Sequence, residues 1–164
     1  MNTTIYLRPL NLEDAKISYQ WRNDPDIWVY TEFKPSTDIT LEKETEWLRG
    51  KLNKANDSRF AICLRDTDQY IGNIQLIDLD EHRGEFHMFI GEKQFWGKGI
   101  GKQASRLILE YGFFAKNLES VFLFTHEDNA AALSIYENLG FVTVGKQDQH
   151  IKMVLTKHMF TPDN

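Results

Sequence analysis

Phe95-Trp96-Gly97-Lys98-Gly99-Ile100-Gly101-Lys102-Gln103-Ala104-Ser105 puts three glycines at alternate positions between a strand-like run, Glu85 to Ile90, and a helical pattern lasting to about Lys116. The apolar stripe of that helix is Ile100, Ala104, Leu107, Ile108 and Tyr111, the spacing of one helical face. A strand that turns through glycines into a helix leaves the first-turn N–H groups without helical acceptors, at the positive end of the helix dipole. Such a corner holds an anion, and glycine suits it because a Cβ would keep the backbone away from a phosphate. Lys98 and Lys102 add cationic heads. The stretch reads as a phosphate-binding loop whose kind its neighbours must decide.

Two nucleotide loops can be tested on the letters alone. The P-loop needs Gly, four residues, then Gly-Lys-Ser/Thr; here Gly101-Lys102 is followed by Gln103, and Trp96 stands where the first glycine belongs. The dinucleotide fingerprint fits as Gly99, Gly101 and Ala104, but it opens a βαβ unit with an acidic residue closing the next strand about 20 residues on. Glu119 precedes its strand instead, and too few βα units follow. A tight turn built from ordinary glycines would leave the same sequence.

The chain has 164 residues, enough for a single domain over 1–164 that buries about two-thirds of its unfolded surface. A hydrophobic share of 41% with 26% charged residues fits a soluble globular protein. Net charge is −5 with a pI near 5.5, which argues against nucleic acid or an anionic membrane surface as partner and fits a cationic or amine substrate. The one cysteine, Cys63, lies in the apolar run Phe60 to Leu64 and reads as a buried small hydrophobe. With no intrachain disulfide available, a reducing, cytoplasmic setting is expected. Met1 to Thr4 lacks a long apolar run, and no run approaches the roughly 18 residues of a membrane span, so neither signal peptide nor span is expected. A single cysteine without a histidine pair at ligand spacing predicts no metal site.

Along the chain, Ile5 to Pro9 alternates as a short strand, and Asn11 is placed to cap a helix through Leu12, Ala15, Ile17 and Trp21. Pro25 ends that helix, and a second runs from Thr40 to Leu52. Strands follow at Arg59 to Leu64, Tyr70 to Leu79 and Glu85 to Ile90. After the glycine loop and its helix, Val121 to Thr125 is a continuous apolar run typical of a buried strand. A helix over Ala130 to Leu139 stops at Gly140, and the last strands are Phe141 to Gly145 and Ile151 to Lys157. The predicted order is β-α-α-β-β-β-α-β-α-β-β, one α/β domain with a mixed sheet.

His126-Glu127-Asp128-Asn129-Ala130-Ala131-Ala132-Leu133-Ser134-Ile135-Tyr136-Glu137-Asn138-Leu139-Gly140-Phe141 is the second informative stretch. Asn129 opens the helix, and Tyr136 lies two turns later on the same face. Taken singly, Asn129 is a helix cap and Tyr136 a half-buried aromatic. Together, Asn-x6-Tyr-Glu-x-x-Gly-Phe after an apolar strand resembles the C-terminal signature of the GNAT acetyltransferases. Residues 96–101 resemble that family's pyrophosphate loop, Gln/Arg-x-x-Gly-x-Gly/Ala, in Gly99 and Gly101. Trp96 departs from the leading Gln or Arg, as in the branch resembling ribosomal-protein acetyltransferases. The resemblance covers nearly the whole chain, most specifically residues 84 to 141.

The resemblance implies a mostly antiparallel central sheet with helices on both faces and one splayed parallel strand pair, which binds acetyl-CoA in the gap. Carried over by position, the amides of Trp96, Gly97, Lys98, Gly99, Ile100, Gly101 and Lys102 hold the pyrophosphate. Ile90 and Gly91 pair with the pantetheine arm, the amide of Phe89 receives the acetyl carbonyl, Asn129 contacts pantetheine, and Tyr136 meets the thioester sulfur. An extended pantetheine can augment a sheet edge, an amide aimed at the carbonyl stabilises an oxyanion, and a phenol can protonate the leaving thiolate. Glu85 matches a strand glutamate that serves as general base in the histone-acetyltransferase branch; His87, on the same strand face, and His126 are further candidates, as is solvent. Ser105 and Ser134 lie on helix faces without an adjacent base. His82, His150 and His158 read as surface residues. Trp21, Trp28, Tyr30 and Glu32 resemble the acceptor-side segment of ribosomal-protein and amino-sugar acetyltransferases, with core packing the competing role for both tryptophans. The expected activity is N-acetylation of a small amine or amino sugar. Alternatives are a protein N-terminal acetyltransferase, a non-catalytic acyl-CoA-binding module and a dinucleotide-binding enzyme. Dimers are frequent in the family, so a homodimer pairing through the last strands is a possible assembly.

Overall fold

The computed structural model describes residues 3–31 and 37–162. Its strands are β1 (Ile5–Pro9), β2 (Ser58–Leu64), β3 (Tyr70–Ile77), β4 (Arg83–Ile90), β5 (Ser120–His126), β6 (Val142–Gln147) and β7 (His150–Thr156). Its helices are α1 (Ala15–Arg22), α2 (Leu41–Leu52), α3 (Ile100–Glu110) and α4 (Ala130–Leu139). All strands join one seven-stranded sheet in the order β1-β2-β3-β4-β5-β7-β6, and β4–β5 is its parallel pair. The expected element order and mixed sheet are observed.

Alternation along the strands divides the core in two. Ile62, Ile74, Leu76, Phe86, Leu123 and Met153 point to the face covered by α3 and α4. Ala61, Cys63 and Tyr70 point to the opposite face, against Leu10, Ala15, Trp21 and Leu48 from the α1–α2 layer. Cys63 is a buried free thiol, as its apolar run implied.

Boundaries shift where long-range partners or backbone twists intervene. β3 ends at Ile77 rather than Leu79, because Asp78 adopts a left-handed φ of 52°. β4 begins at Arg83 because Arg83 and Gly84 pair with Ser120 and Val121, partners that lie far along the chain. The long helix is α-helical only to Glu110 and closes through one π turn, Tyr111–Ala115, with the Lys116 amide on the Tyr111 carbonyl at 3.0 Å. Asn11 caps a short 3-10 turn that feeds α1, and its amide in return donates to Asp14 Oδ2 at 2.9 Å. Among the described residues, no helix is long and apolar enough to cross a membrane.

What matters for function is where the parallel pairing stops. β4 and β5 are in register only at Arg83–Ser120, Gly84–Val121 and Glu85–Phe122. Beyond that point β4 stays on β3 as far as Ile90, and β5 stays on β7 as far as His126. Each strand keeps its outer neighbour and loses its inner one, so a gap opens with unpaired backbone on both walls.

Candidate active site

The glycine loop closes the wide end of this gap. Gly97 and Gly99 adopt φ of 73° and 78°, left-handed values that a side chain disfavours, and a Cβ at either would meet nothing within 4 Å. These glycines are therefore conformational and leave open space in front of the backbone. Among the described residues, the amides of Gly97, Lys98, Gly99, Ile100, Gly101 and Lys102 donate to no protein acceptor; the first helical bond of the turn is Gln103 to Gly99 at 3.2 Å. The amide of Trp96 is different, since it donates to the Lys93 carbonyl at 3.0 Å. The Trp96 indole anchors the loop by donating from Nε1 to the Ile90 carbonyl at 3.0 Å. A groove of about 930 Å³ beside the loop is lined by Lys98, Lys102, Gln103 and Arg106. Gly101 is a packing glycine: its Cβ would lie 3.1 Å from Ile135 Cδ1 and 3.3 Å from Met88 Cε.

The register decides which β4 amides face the gap. Gly91 already donates to the Ile71 carbonyl at 2.7 Å, and backbone direction alternates along a strand. The amides of Phe89 and His87 thus point at β3, while those of Met88 and Ile90 point into the gap. This corrects the carried-over assignment by one residue: the amide on the gap-facing edge belongs to Met88, not Phe89, and the Gly91 amide is committed within the sheet.

A matching sequence family and matching folds accompany this geometry. The family model for acetyltransferase (GNAT) domains matches residues 4–142. The chain belongs to the GNAT acetyltransferases. It is 28% identical to N-acetyltransferase p20 of Bacillus licheniformis over 142 residues, covering 85% of this chain and 79% of that protein. It is 27% identical to spermidine N(1)-acetyltransferase of Escherichia coli K12 over 146 residues (87% and 75% covered), and 25% identical to acetyltransferase PseH of Campylobacter jejuni over 148 (90% and 88%). The crystal structure of spermidine N-acetyltransferase from Vibrio cholerae in complex with CoA and spermine superposes with a TM-score of 0.83 at 22% identity, covering 94% of this chain and 96% of that one.

The second motif of this acetyltransferase lies on the other wall. Asn129 caps α4 by accepting from the Ala132 amide at 3.3 Å, which occupies Oδ1 and leaves Nδ2 to donate. Tyr136 is packed edge-on against Phe86 at 5.5 Å and Phe141 at 5.8 Å, and burial holds its phenol above the usual tyrosine range. Asn129 and Tyr136 line a cleft of about 600 Å³ with Met88, His87, Tyr30 and His126.

Glu85 and His87 project to the opposite sheet face, with Glu85 Oε2 at 2.7 Å from His87 Nε2 and side chains 21% and 46% exposed. They form a carboxylate–imidazole pair at the edge of the gap. His126 is spoken for: its Nδ1 accepts from the Asp128 amide at 3.0 Å and its Nε2 faces Gln149 Oε1 at 3.3 Å, so neither nitrogen keeps a free lone pair.

On the acceptor side, two of the residues suggested by sequence prove to be core. Trp21 is 4% exposed and Trp28 8% exposed; the Trp21 indole donates to Glu92 Oε1 at 3.1 Å and the Trp28 indole to the Trp21 carbonyl at 2.9 Å. Arg22 lies over Trp28 at 4.9 Å and pairs with the buried Glu44 carboxylate at 3.0 Å, which completes the packing. Tyr30 does reach the cleft, stacking on His126 at 5.3 Å. Glu32 lies outside the described residues. His150, read as a surface residue, lines the cleft beside His126. Met88 was missed because its contribution is a backbone direction, and that is set by the pairing register alone. Among the described residues no cluster of His, Cys, Asp or Glu has the geometry to hold a metal ion.

Proposed function

We propose that this enzyme transfers the acetyl group of acetyl-CoA to a primary amine of a small molecule, by direct attack in a ternary complex within a single domain acting in the cytoplasm. The observation that carries this reading is the run of uncommitted amides from Gly97 to Lys102, opening onto a gap walled by the inner edges of β4 and β5, which pair with each other only as far as Glu85 and Phe122. A diphosphate suits those amides and the helix terminus behind them, with Lys98 and Lys102 alongside. The pantetheine arm fits as an added strand against Met88 and Ile90, with Asn129 Nδ2 on the facing wall.

The residues then divide the chemistry. Glu85, paired with His87, takes a proton from the substrate ammonium, and the amine nitrogen attacks the thioester carbon. As the C–N bond forms and the C–S bond breaks, the Met88 amide donates to the carbonyl oxygen, an interaction worth a few kcal/mol in such sites, and the second proton of the attacking nitrogen passes to the departing sulfur, so that the products are the acetamide and the free CoA thiol. Tyr136 keeps its proton throughout and donates a hydrogen bond to the departing sulfur. Relatives named for spermidine acetylation support a small-molecule acceptor.

The test is release of free CoA thiol from acetyl-CoA across polyamines, amino sugars and N-terminal peptides. Turnover with a small amine is the expected result. Turnover with peptides alone would favour N-terminal acetylation, and CoA binding without turnover would favour a binding module. Thermal stabilisation by NAD rather than CoA would overturn the reading.

A further inference from the structure

Among the described residues, Arg59 Nε and Gln75 Oε1 are buried without a hydrogen-bond partner, one a donor and the other an acceptor. They occupy register-paired positions on β2 and β3, and Gln75 is in turn paired with His87 on β4. Residues directly opposite on neighbouring strands carry their side chains on one face, with Cβ atoms about 4.5–5.5 Å apart. Arg59 is fixed from behind by Asp57, whose Oδ2 accepts from Nη2 at 3.0 Å. The Gln75 side chain is only partly buried, its amide nitrogen is not among the buried unpartnered atoms, and half-exposed His87 stands opposite it on the neighbouring strand.

We propose that Gln75 is a positioning residue for the Glu85–His87 pair, an assignment that rests on the acetyl-transfer reading above. Side-chain rotation alone brings the two orphaned atoms together, so that Arg59 Nε–H donates to Gln75 Oε1. Gln75 Nε2–H then donates to His87 Nδ1, and His87 Nε2–H donates to Glu85 Oε2. Every donor in this row has one acceptor, and the row runs from Asp57 to Glu85 across three strands. It fixes His87 as the neutral Nε2–H tautomer and leaves Glu85 Oε1 as the atom that receives the substrate's proton. The other groups that bear on His87 are Arg83 on its own strand face and, across the gap, Tyr30, His126, His150, Asp148 and Lys152. Gln75 reaches the ring from β3, where it is register-paired with His87.

The experiment uses the whole protein with ¹⁵N-labelled histidine, the His87 ring signals being assigned by their loss in His87→Phe. At about pH 8, above the ordinary imidazole range, wild-type His87 should show Nε2 protonated and Nδ1 bare. In Gln75→Leu the ring should become a mixture of tautomers, and kcat should fall roughly fivefold, the value of one hydrogen bond. In Gln75→Glu, whose carboxylate can accept from Arg59 but has no N–H to donate to Nδ1, the Nε2–H tautomer should likewise no longer be locked. This variant keeps a polar side chain and serves if Gln75→Leu does not fold. A wild-type ring already in mixed tautomers, or a tautomer unchanged in a folded Gln75 variant, would overturn the proposal. A locked tautomer that responds to Gln75 in a protein that acetylates no amine would support the row and remove the base role of Glu85 instead.

Discussion

In Gly91→Ala the new methyl carbon would lie 2.0 Å from Trp21 Cδ2, 2.3 Å from Cε2 and 2.6 Å from Cε3, where ordinary contact begins near 3.4 Å. The indole must therefore retreat by more than an ångström. It has no room to do so, being 4% exposed and held between Tyr70 at 4.7 Å and Phe89 at 5.8 Å, with its N–H on Glu92. Overpacking of this kind costs about 1–3 kcal/mol, and losing the indole hydrogen bond adds about 1 kcal/mol. A total of about 2–4 kcal/mol is a large share of a typical domain stability and corresponds to a Tm lower by about 5–15 °C. The assay is thermal and urea unfolding of Gly91→Ala in the wild-type and Trp21→Ala backgrounds. With the indole gone, the alanine should cost less than about 0.5 kcal/mol, because the clash is the whole effect. CoA affinity measured well below Tm should be unchanged, since the Gly91 amide is already bonded to Ile71. Equal losses in the two backgrounds, or a selective loss of CoA binding at unchanged Tm, would refute the packing account.

Gly99→Ala introduces a side chain at a φ of 78° with no neighbour within 4 Å, so stability should fall by only about 1 kcal/mol while CoA affinity, read by calorimetry, falls at least as much. Tyr136→Phe should lower kcat and leave acetyl-CoA affinity nearly unchanged; equal losses in both would make Tyr136 a binding residue. Burial holds the Tyr70 and Tyr136 phenols above their usual range, so the folded state keeps protons that the unfolded chain begins to lose near pH 10. Stability from both is full below that pH and drains away as pH rises beyond it. Alkaline unfolding of Tyr70→Phe should accordingly be less steep than that of wild type.

Much of the fold was legible because its signals are local. Period-two runs, glycine and proline punctuation and the apolar stripe of α3 suffice to place all seven strands and four helices in order. The glycine loop was legible for the same reason, as the left-handed Gly97 and Gly99 are written into the sequence. Gly91, by contrast, carries the same letter for an unrelated cause, the closeness of the Trp21 ring, which only tertiary packing reveals. Trp21 and Trp28 could not be assigned between core and acceptor wall because a tryptophan at the end of a helix or in the turn after it serves either role, and burial is decided by what folds over it. The shift from Phe89 to Met88 turns on strand parity relative to β3, and Gln75 becomes interesting only once β2, β3 and β4 are laid in register.

The parity of β4 also explains how one strand can serve two reactants. Its even-numbered side chains, Phe86 and Met88, enter the core under α3 and α4, so their amides are turned toward the gap by a fixed scaffold. Its odd-numbered side chains, Glu85 and His87, leave the sheet on the other face; on the acetyl-transfer reading, an amine approaches there without crossing the cofactor. Because β3 holds β4 through Ile90, neither set can move without the other, and the distance between the carbonyl-facing amide and the carboxylate is set by the strand repeat of about 3.3 Å per residue. On the acetyl-transfer reading, that spacing keeps the base close to the attacked carbon yet across the sheet from the leaving thiol. A proton removed on one face and a sulfur released on the other are thereby kept apart, and the open edge between β4 and β5 is the place where the two reactants meet.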